Sequence, residues 1–354
     1  MIWIIFVSLP IPYCINFDMK NILVIYTGGT IGMVKDKKTG ALYPFDMKKI
    51  YEALPVLKEL DCVIDTIQFN PIIDSSDMHS DVWIRLADLI KIEYGNYDGF
   101  VVLHGTDTMS YTASALSFLI ENLSKPIIIT GSQLPLGMIR TDGRENIISA
   151  VEIASNENVN IPEVCIFFEN KLFRGNRTTK INAEHFEAFY SGNYPSLAKV
   201  GINISYKQHL IHKSDYKPLK VYNKMCEQIV VIKVHPALQK EHLEAFLSIP
   251  DLKGVVLETY GSGNAPTSQW FISAIKHAIE KGVYVMNVTQ CKAGSVVMGH
   301  YEASTALLEM GVISGGDITT EAALAKMMFV LGNYEEPTEI KQMLKSNLRG
   351  EISA

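Results

Sequence analysis

The run Ile22-Leu23-Val24-Ile25 stops at Thr27-Gly28-Gly29-Thr30-Ile31-Gly32. An unbroken stretch of Ile, Leu and Val marks a strand buried on both faces, and such strands belong in parallel sheets covered by helices. The figure recurs twice. Phe100-Val101-Val102-Leu103 runs into His104-Gly105-Thr106-Asp107-Thr108, and Pro126 to Thr130 runs into Gly131-Ser132-Gln133. Helical periodicity over Tyr111 to Asn122 and Asn146 to Ser155 carries the chain away, so the succession is βαβ and the class is α/β. Polar turns at the carboxyl ends of parallel strands gather at one sheet edge, where open α/β proteins hold their ligands.

The remaining pattern fills in two parts. Helices are expected over Met47 to Leu60 and Asp81 to Glu93, with strands over Cys62 to Phe69 and Val164 to Glu169. Asp77 or Ser80 is positioned to cap the second helix. The polar stretch 170–180 carries Lys171, Arg174, Arg177 and Lys180 and reads as a loop. Periodicity fails around 209–228, the expected linker. Beyond it, strands at Ile229 to Val234, Gly254 to Leu257 and Val283 to Val288 alternate with helices at Gln239 to Leu247 and Ser268 to Glu280. Helices at Thr320 to Leu331 and Thr338 to Leu348 close the chain. The expected layout is a larger N-terminal catalytic domain over 19–208 with a mostly parallel sheet, and a smaller C-terminal α/β domain over 229–354. Residues 1–18 are apolar, broken by Pro10 and Pro12, and lack a basic start and a small-x-small cleavage pattern. They are read as an extension ahead of a start at Met19, with a cytoplasmic protein to follow.

Glycine-rich turns invite a phosphate reading. Here Gly28-Gly29-Thr30-Ile31-Gly32 matches neither G-x-G-x-x-G nor a P-loop, and no Lys comes before Lys35. A formal net charge of -6 provides no broad basic field for nucleic acid or anionic lipid. Five scattered cysteines without a C-x-x-C pair fit reduced thiols. No H-E-x-x-H or clustered His/Cys spacing suggests a metal, and no cofactor is expected.

Hydrolysis of an unactivated amide needs a nucleophile, a proton acceptor and donors for the oxyanion. The strand-end turns offer the hydroxyls of Thr30 and Thr106 and the carboxylate of Asp107, and Lys180 adds an amine that burial could hold neutral enough to move protons. There is no G-x-S-x-G elbow, so a threonine mechanism is the sharper option.

Tyr26-Thr27-Gly28-Gly29-Thr30-Ile31-Gly32 together with Leu103-His104-Gly105-Thr106-Asp107-Thr108-Met109 resembles the bacterial-type L-asparaginases, in particular the cytoplasmic type I branch. Supporting matches are Asp74-Ser75-Ser76-Asp77-Met78, Arg174-Gly175-Asn176-Arg177-Thr178-Thr179-Lys180 and Tyr260-Gly261-Ser262-Gly263-Asn264-Ala265-Pro266. The resemblance implies that Thr30 is the nucleophile of an acyl-enzyme and that Tyr43, on a mobile loop, closes over it. It further implies that Thr106 positions water, Lys180 transfers protons and Asp107 also binds the substrate amino group. Asp74, Ser75 and Ser76 would grip the α-groups of L-asparagine, and Asn264 would reach the site from a neighbouring subunit of a homodimer or homotetramer.

One departure concerns regulation. Certain type I members place an arginine just before Tyr-Gly-x-Gly-Asn to hold an effector carboxylate; Glu258 stands there in this chain. The rival enzyme is a transamidation subunit that carries an added N-terminal domain, for which the stretch before Ile22 leaves no room. The rival from another class is a catalytically silent amino-acid sensor on the same scaffold.

Overall fold

The computed structural model describes residues 19–35, 42–44, 47, 50–214, 216–299 and 302–353. The apolar stretch 1–18 lies outside them. Strands β1 (Lys20–Tyr26), β2 (Cys62–Gln68), β3 (Gly99–Leu103), β4 (Ile127–Thr130), β5 (Val164–Phe168), β6 (Lys171–Arg174), β7 (Ala198–Val200) and β8 (Ile204–Tyr206) form one sheet. Their spatial order is β8-β7-β6-β5-β4-β3-β1-β2. The strands from β1 to β5 run parallel, and β6 turns back antiparallel. Glu169 and Asn170 make that reversal, both at positive φ (42° and 62°). Two left-handed residues match a hairpin turn to the strand twist.

Alternation along each buried strand feeds two cores. Leu23, Ile25, Phe100 and Val102 face one layer; Ile22, Val24, Val101 and Leu103 face the other. Helices α1 (Ser80–Glu93) and α2 (Met109–Leu119) cover the first face, and α3 (Gly143–Ala154) covers the second. The register sets Tyr26 beside Leu103 and Leu103 beside Thr130, so the turns after β1, β3 and β4 leave the sheet level with one another.

A second, all-parallel sheet holds β9 (Ile229–Lys233), β10 (Gly254–Thr259), β11 (Tyr284–Thr289) and β12 (Ile313–Ser314). Helices α4 (Lys240–Leu247) and α5 (Gln269–Glu280) pack on one face. After α6 (Glu302–Glu309), helices α7 (Thr320–Asn333) and α8 (Pro337–Lys345) pack on the other. Its inner layer merges with the first core: Phe118 of α2 stacks on Phe329 of α7, ring centroids 6.0 Å apart. One buried ion pair crosses the same junction, Arg177 to Asp317 at 2.7 Å, and a second, Lys326 to Glu351 at 2.7 Å, lies within the C-terminal part. Removing one partner of such a pair typically costs about 3–5 kcal/mol, because the other charge is left buried.

Four local expectations change, the first being that the stretch 170–180, expected as a loop, holds β6, a 3-10 turn at Gly175–Arg177 and the short strand Thr179–Lys180. The helix expected over Met47 to Leu60 is a single α-turn, Ile50–Ala53, then a tighter turn, Pro55–Glu59. Pro55 is the cause, since its ring drives Leu54 out of the helical region to φ -130°, ψ 73°. Helix α2 stops at Leu119 rather than Asn122, because Ile120 and Glu121 pair with Lys220 and Val221, inside the stretch expected to be linker. Helix α1 has His79 at its N-cap with no side-chain bond, and the Ser80 hydroxyl donates instead to Glu227 Oε1.

Candidate active site

Thr30 opens a short 3-10 turn directly after β1. It gets there through Gly28 (φ 146°) and Gly29 (φ 90°), a conformation that residues with a Cβ rarely adopt. Both glycines also allow close backbone contact. A Cβ on Gly29 would sit 2.4 Å from Gly105 Cα and N, and one on Gly28 would sit 1.9 Å from Ile73 O. Gly105 is equally confined, since a Cβ there would meet Ser75 Oγ at 2.4 Å. The turns bearing Thr30 and Thr106 are therefore packed backbone against backbone, and the Ser75 side chain closes against Gly105. Hydroxyls lock them: Thr27 Oγ1 donates to Leu103 O (3.0 Å) and Thr108 Oγ1 to Ser75 O (2.7 Å). Thr27, Thr108 and Gly105 thus have structural work.

Lys180 joins from a separate two-stranded ribbon. It lies on the short strand Thr179–Lys180, which pairs with Phe189–Tyr190. Its Nζ donates to Thr106 Oγ1 at 2.8 Å and to Asp107 Oδ1 at 2.7 Å. The lysine side chain is 18% exposed and the aspartate 66%, so the group opens towards solvent on the Asp107 side. Thr106 Oγ1 in turn donates to Gln133 Oε1 at 3.3 Å. Gln133 stands at the third strand end, and the level exits of β3 and β4 explain its arrival.

Asp74 and its neighbours line up beside this group. Asp74 Oδ1 accepts from the Ser76 N–H and the Ser76 hydroxyl, both at 2.9 Å. The backbone N–H, followed by the hydroxyl, holds the Asp74 carboxyl below its usual range. Ser75 is buried and Ser76 exposed. Tyr43 lies on Leu42–Pro44, opposite Val34 in a two-stranded ribbon just beyond Thr30. Asn264 sits elsewhere, bridged to Tyr260 in the C-terminal part. Among the described residues no hydrogen bond links it to Thr30, Thr106 or Lys180, and its Oδ1 is buried without a partner. Among the described residues no group of three His, Cys, Asp or Glu side chains is placed to hold a metal ion.

Beneath Thr106 runs a buried polar chain that periodicity does not reveal. Trp83 Nε1 donates to Thr112 Oγ1 (2.9 Å), which stands 2.9 Å from His104 Nε2, and His104 Nδ1 stands 2.6 Å from Gly105 O. A carbonyl only accepts, so Nδ1 carries the proton and Nε2 accepts from the Thr112 hydroxyl. Burial pushes the fully enclosed His104 down from 6.5 to about 4. A base whose pKa falls on folding is protonated first in the unfolded chain, so stability is lost as pH drops from 6.5 towards 4 and is flat above. The loss from this group is on the order of 3 kcal/mol. Urea denaturation should show it in the wild type, with a smaller slope in His104→Asn. Ring resonances of His104 that titrate near 6.5 in the folded protein would contradict this.

Models of two domain families match the chain: asparaginase, N-terminal, over residues 21–212, and glutaminase/asparaginase C-terminal domain over 228–344. L-asparaginase 1 of Escherichia coli K12 is 41% identical over 335 residues, covering 94% of this chain and 98% of the relative. The 60 kDa lysophospholipase of Homo sapiens is 40% identical, with 94% of this chain and 62% of the relative covered. The crystal structure of L-asparaginase I from Vibrio cholerae superposes with a TM-score of 0.86 at 42% identity, covering 95% of this chain and 99% of that one.

Proposed function

The chain belongs to the asparaginase family, and we propose that this L-asparaginase splits the side-chain amide of L-asparagine through an ester on Thr30. The observation that supports this most is Lys180 Nζ lying between Thr106 Oγ1 and Asp107 Oδ1, on a turn packed against the one that carries Thr30.

In this reading the Thr30 hydroxyl attacks the amide carbon, its proton passes to the amide nitrogen, the C–N bond breaks, and ammonia leaves. Water held by Thr106 then attacks the ester carbon, the bond to Thr30 Oγ1 breaks as that oxygen takes up the water's proton by way of Lys180, and aspartate is released. Asp107 and the low-pKa Asp74 supply negative charge for the substrate ammonium, while Ser75 and Ser76 hold the α-carboxylate. Tyr43 closes over Thr30. Asn264 completes the site of a neighbouring subunit in a homodimer or homotetramer, a reading supported by its unpartnered Oδ1. The free thiols of Cys62, Cys165, Cys226 and Cys291 suit a reducing, cytoplasmic setting. No described helix is long and apolar enough to cross a membrane.

The test is ammonia release by purified protein from L-asparagine and L-glutamine, alongside fatty-acid release from lysophosphatidylcholine. Release fastest from asparagine supports the reading; asparagine binding without ammonia would favour the sensor. Glu258 adds an expectation about rate. Its Oε1 accepts from the Thr320 hydroxyl at 2.6 Å, and a carboxylate there repels the carboxylate of a substrate acting as effector. Rate against asparagine concentration should be hyperbolic, and a Hill coefficient above about 1.5 would show coupled sites.

A further inference from the structure

The segment that delivers Lys180 is held from the C-terminal part of the same chain. Asn176 Nδ2 donates to Arg349 O at 3.0 Å. Arg177 donates to Asp317 Oδ2 at 2.7 Å, to Glu351 O at 2.6 Å and to Ser353 Oγ at 2.8 Å. The last tie before Lys180 is at Thr179, whose Oγ1 donates to Glu321 Oε1 at 2.5 Å. Glu321 lies in the first turn of α7, fixed by the Thr319 cap that accepts from Ala322 N.

Successive side chains on a strand point to opposite sides. Thr179 therefore faces α7 while Lys180 faces Thr106. The strand is two residues long, and from residue 181 to 187 the chain is largely exposed. Its own ladder does little to fix where the lysine stem begins, and a lysine stem has many rotamers to lose.

We propose that Glu321 is a positioning residue for Lys180, acting through the Thr179 hydroxyl to hold the Lys180 amine on Thr106 and Asp107. The proposal rests on Lys180 being the proton carrier of the reaction described above. It makes the C-terminal part a structural partner in the chemistry of the same chain. The neighbouring Thr320 hydroxyl is tied to Glu258, so the strand end of β10 and the base of Lys180 meet at one helix turn.

The test uses the full chain. In Glu321→Ala and Thr179→Val, kcat on asparagine should fall about tenfold to a hundredfold, the scale of a catalytic group displaced by an ångström. KM should change less than about threefold, since the tie touches no substrate-binding group. Glu321→Gln and Thr179→Ser keep an acceptor and a donor and should return to within about threefold of wild type. The double variant should be no slower than the slower single variant, as for two ends of one bond. Unchanged kcat in both Glu321→Ala and Thr179→Val, or a rise in KM alone, overturns the role. Should Glu321→Ala lose cooperative unfolding, the near-isosteric Thr179→Val decides by itself. An active wild type with normal variants sinks only the positioning role; a wild type inactive on both amides sinks the underlying reaction and the role with it.

Discussion

Thr30→Ala and Thr106→Val should each lower ammonia release from asparagine at least about a hundredfold, the scale of losing a nucleophile or a proton-transfer step. The two losses have different origins. Thr30→Ala removes the atom that would form the ester, so no acyl-enzyme accumulates under rapid mixing. Thr106→Val keeps the shape but removes the oxygen that Lys180 Nζ reaches at 2.8 Å, leaving Nζ with Asp107 alone. Thr106→Ser restores that oxygen and should recover most of the rate. Both positions are half-buried in turns, so the fold should survive, and unfolding curves matching the wild type are part of the measurement. Near-normal ammonia release from either purified variant removes that residue from the chemistry.

An effect of similar size is expected from a single methyl group. Gly29→Ala places a Cβ at 2.4 Å from the Gly105 backbone on a residue with φ 90°. The strain of a left-handed non-glycine residue costs about 1–3 kcal/mol, and overpacking costs a further 1–3 kcal/mol. Relief comes by pushing the Thr30 turn away from the Thr106 turn, and a displacement near 1 Å is enough to cost about a hundredfold in rate. Gly95→Ala is the control, since nothing lies within 4 Å of a Cβ there. Gly29→Ala should lower both the urea midpoint and kcat. An unaltered kcat would show that the two threonine turns need not touch.

Much of this site was legible from residue order. Strands buried on both faces need long apolar runs, and they end where the chain must turn in the open, so Thr30, Thr106, Asp107 and Gln133 fall at one sheet edge. Register then sets them level without further information. The resemblance of two separated threonine motifs to the asparaginases agrees with the family models and with relatives that cover nearly the whole chain.

Other features depended on distant partners. Arg177 sits in a segment that reads as a polar loop, yet its side chain is 1% exposed and paired with Asp317. His104 is a letter in a motif until Trp83 and Thr112 are found beneath it. Proline geometry could have flagged the broken helix at Leu54, because the restriction is local.

Residue order alone accounts for the α/β class, the strand-end turns and the chemistry available at them, since period, glycine placement and hydroxyl content act between near neighbours. That Lys180 meets Thr106 across 74 positions and that Thr179 is held by Glu321 across 142 follows only from the folded packing. Those contacts depend on how α2 and α7 share one core, and no local preference encodes the partner that packing brings from so far along the chain.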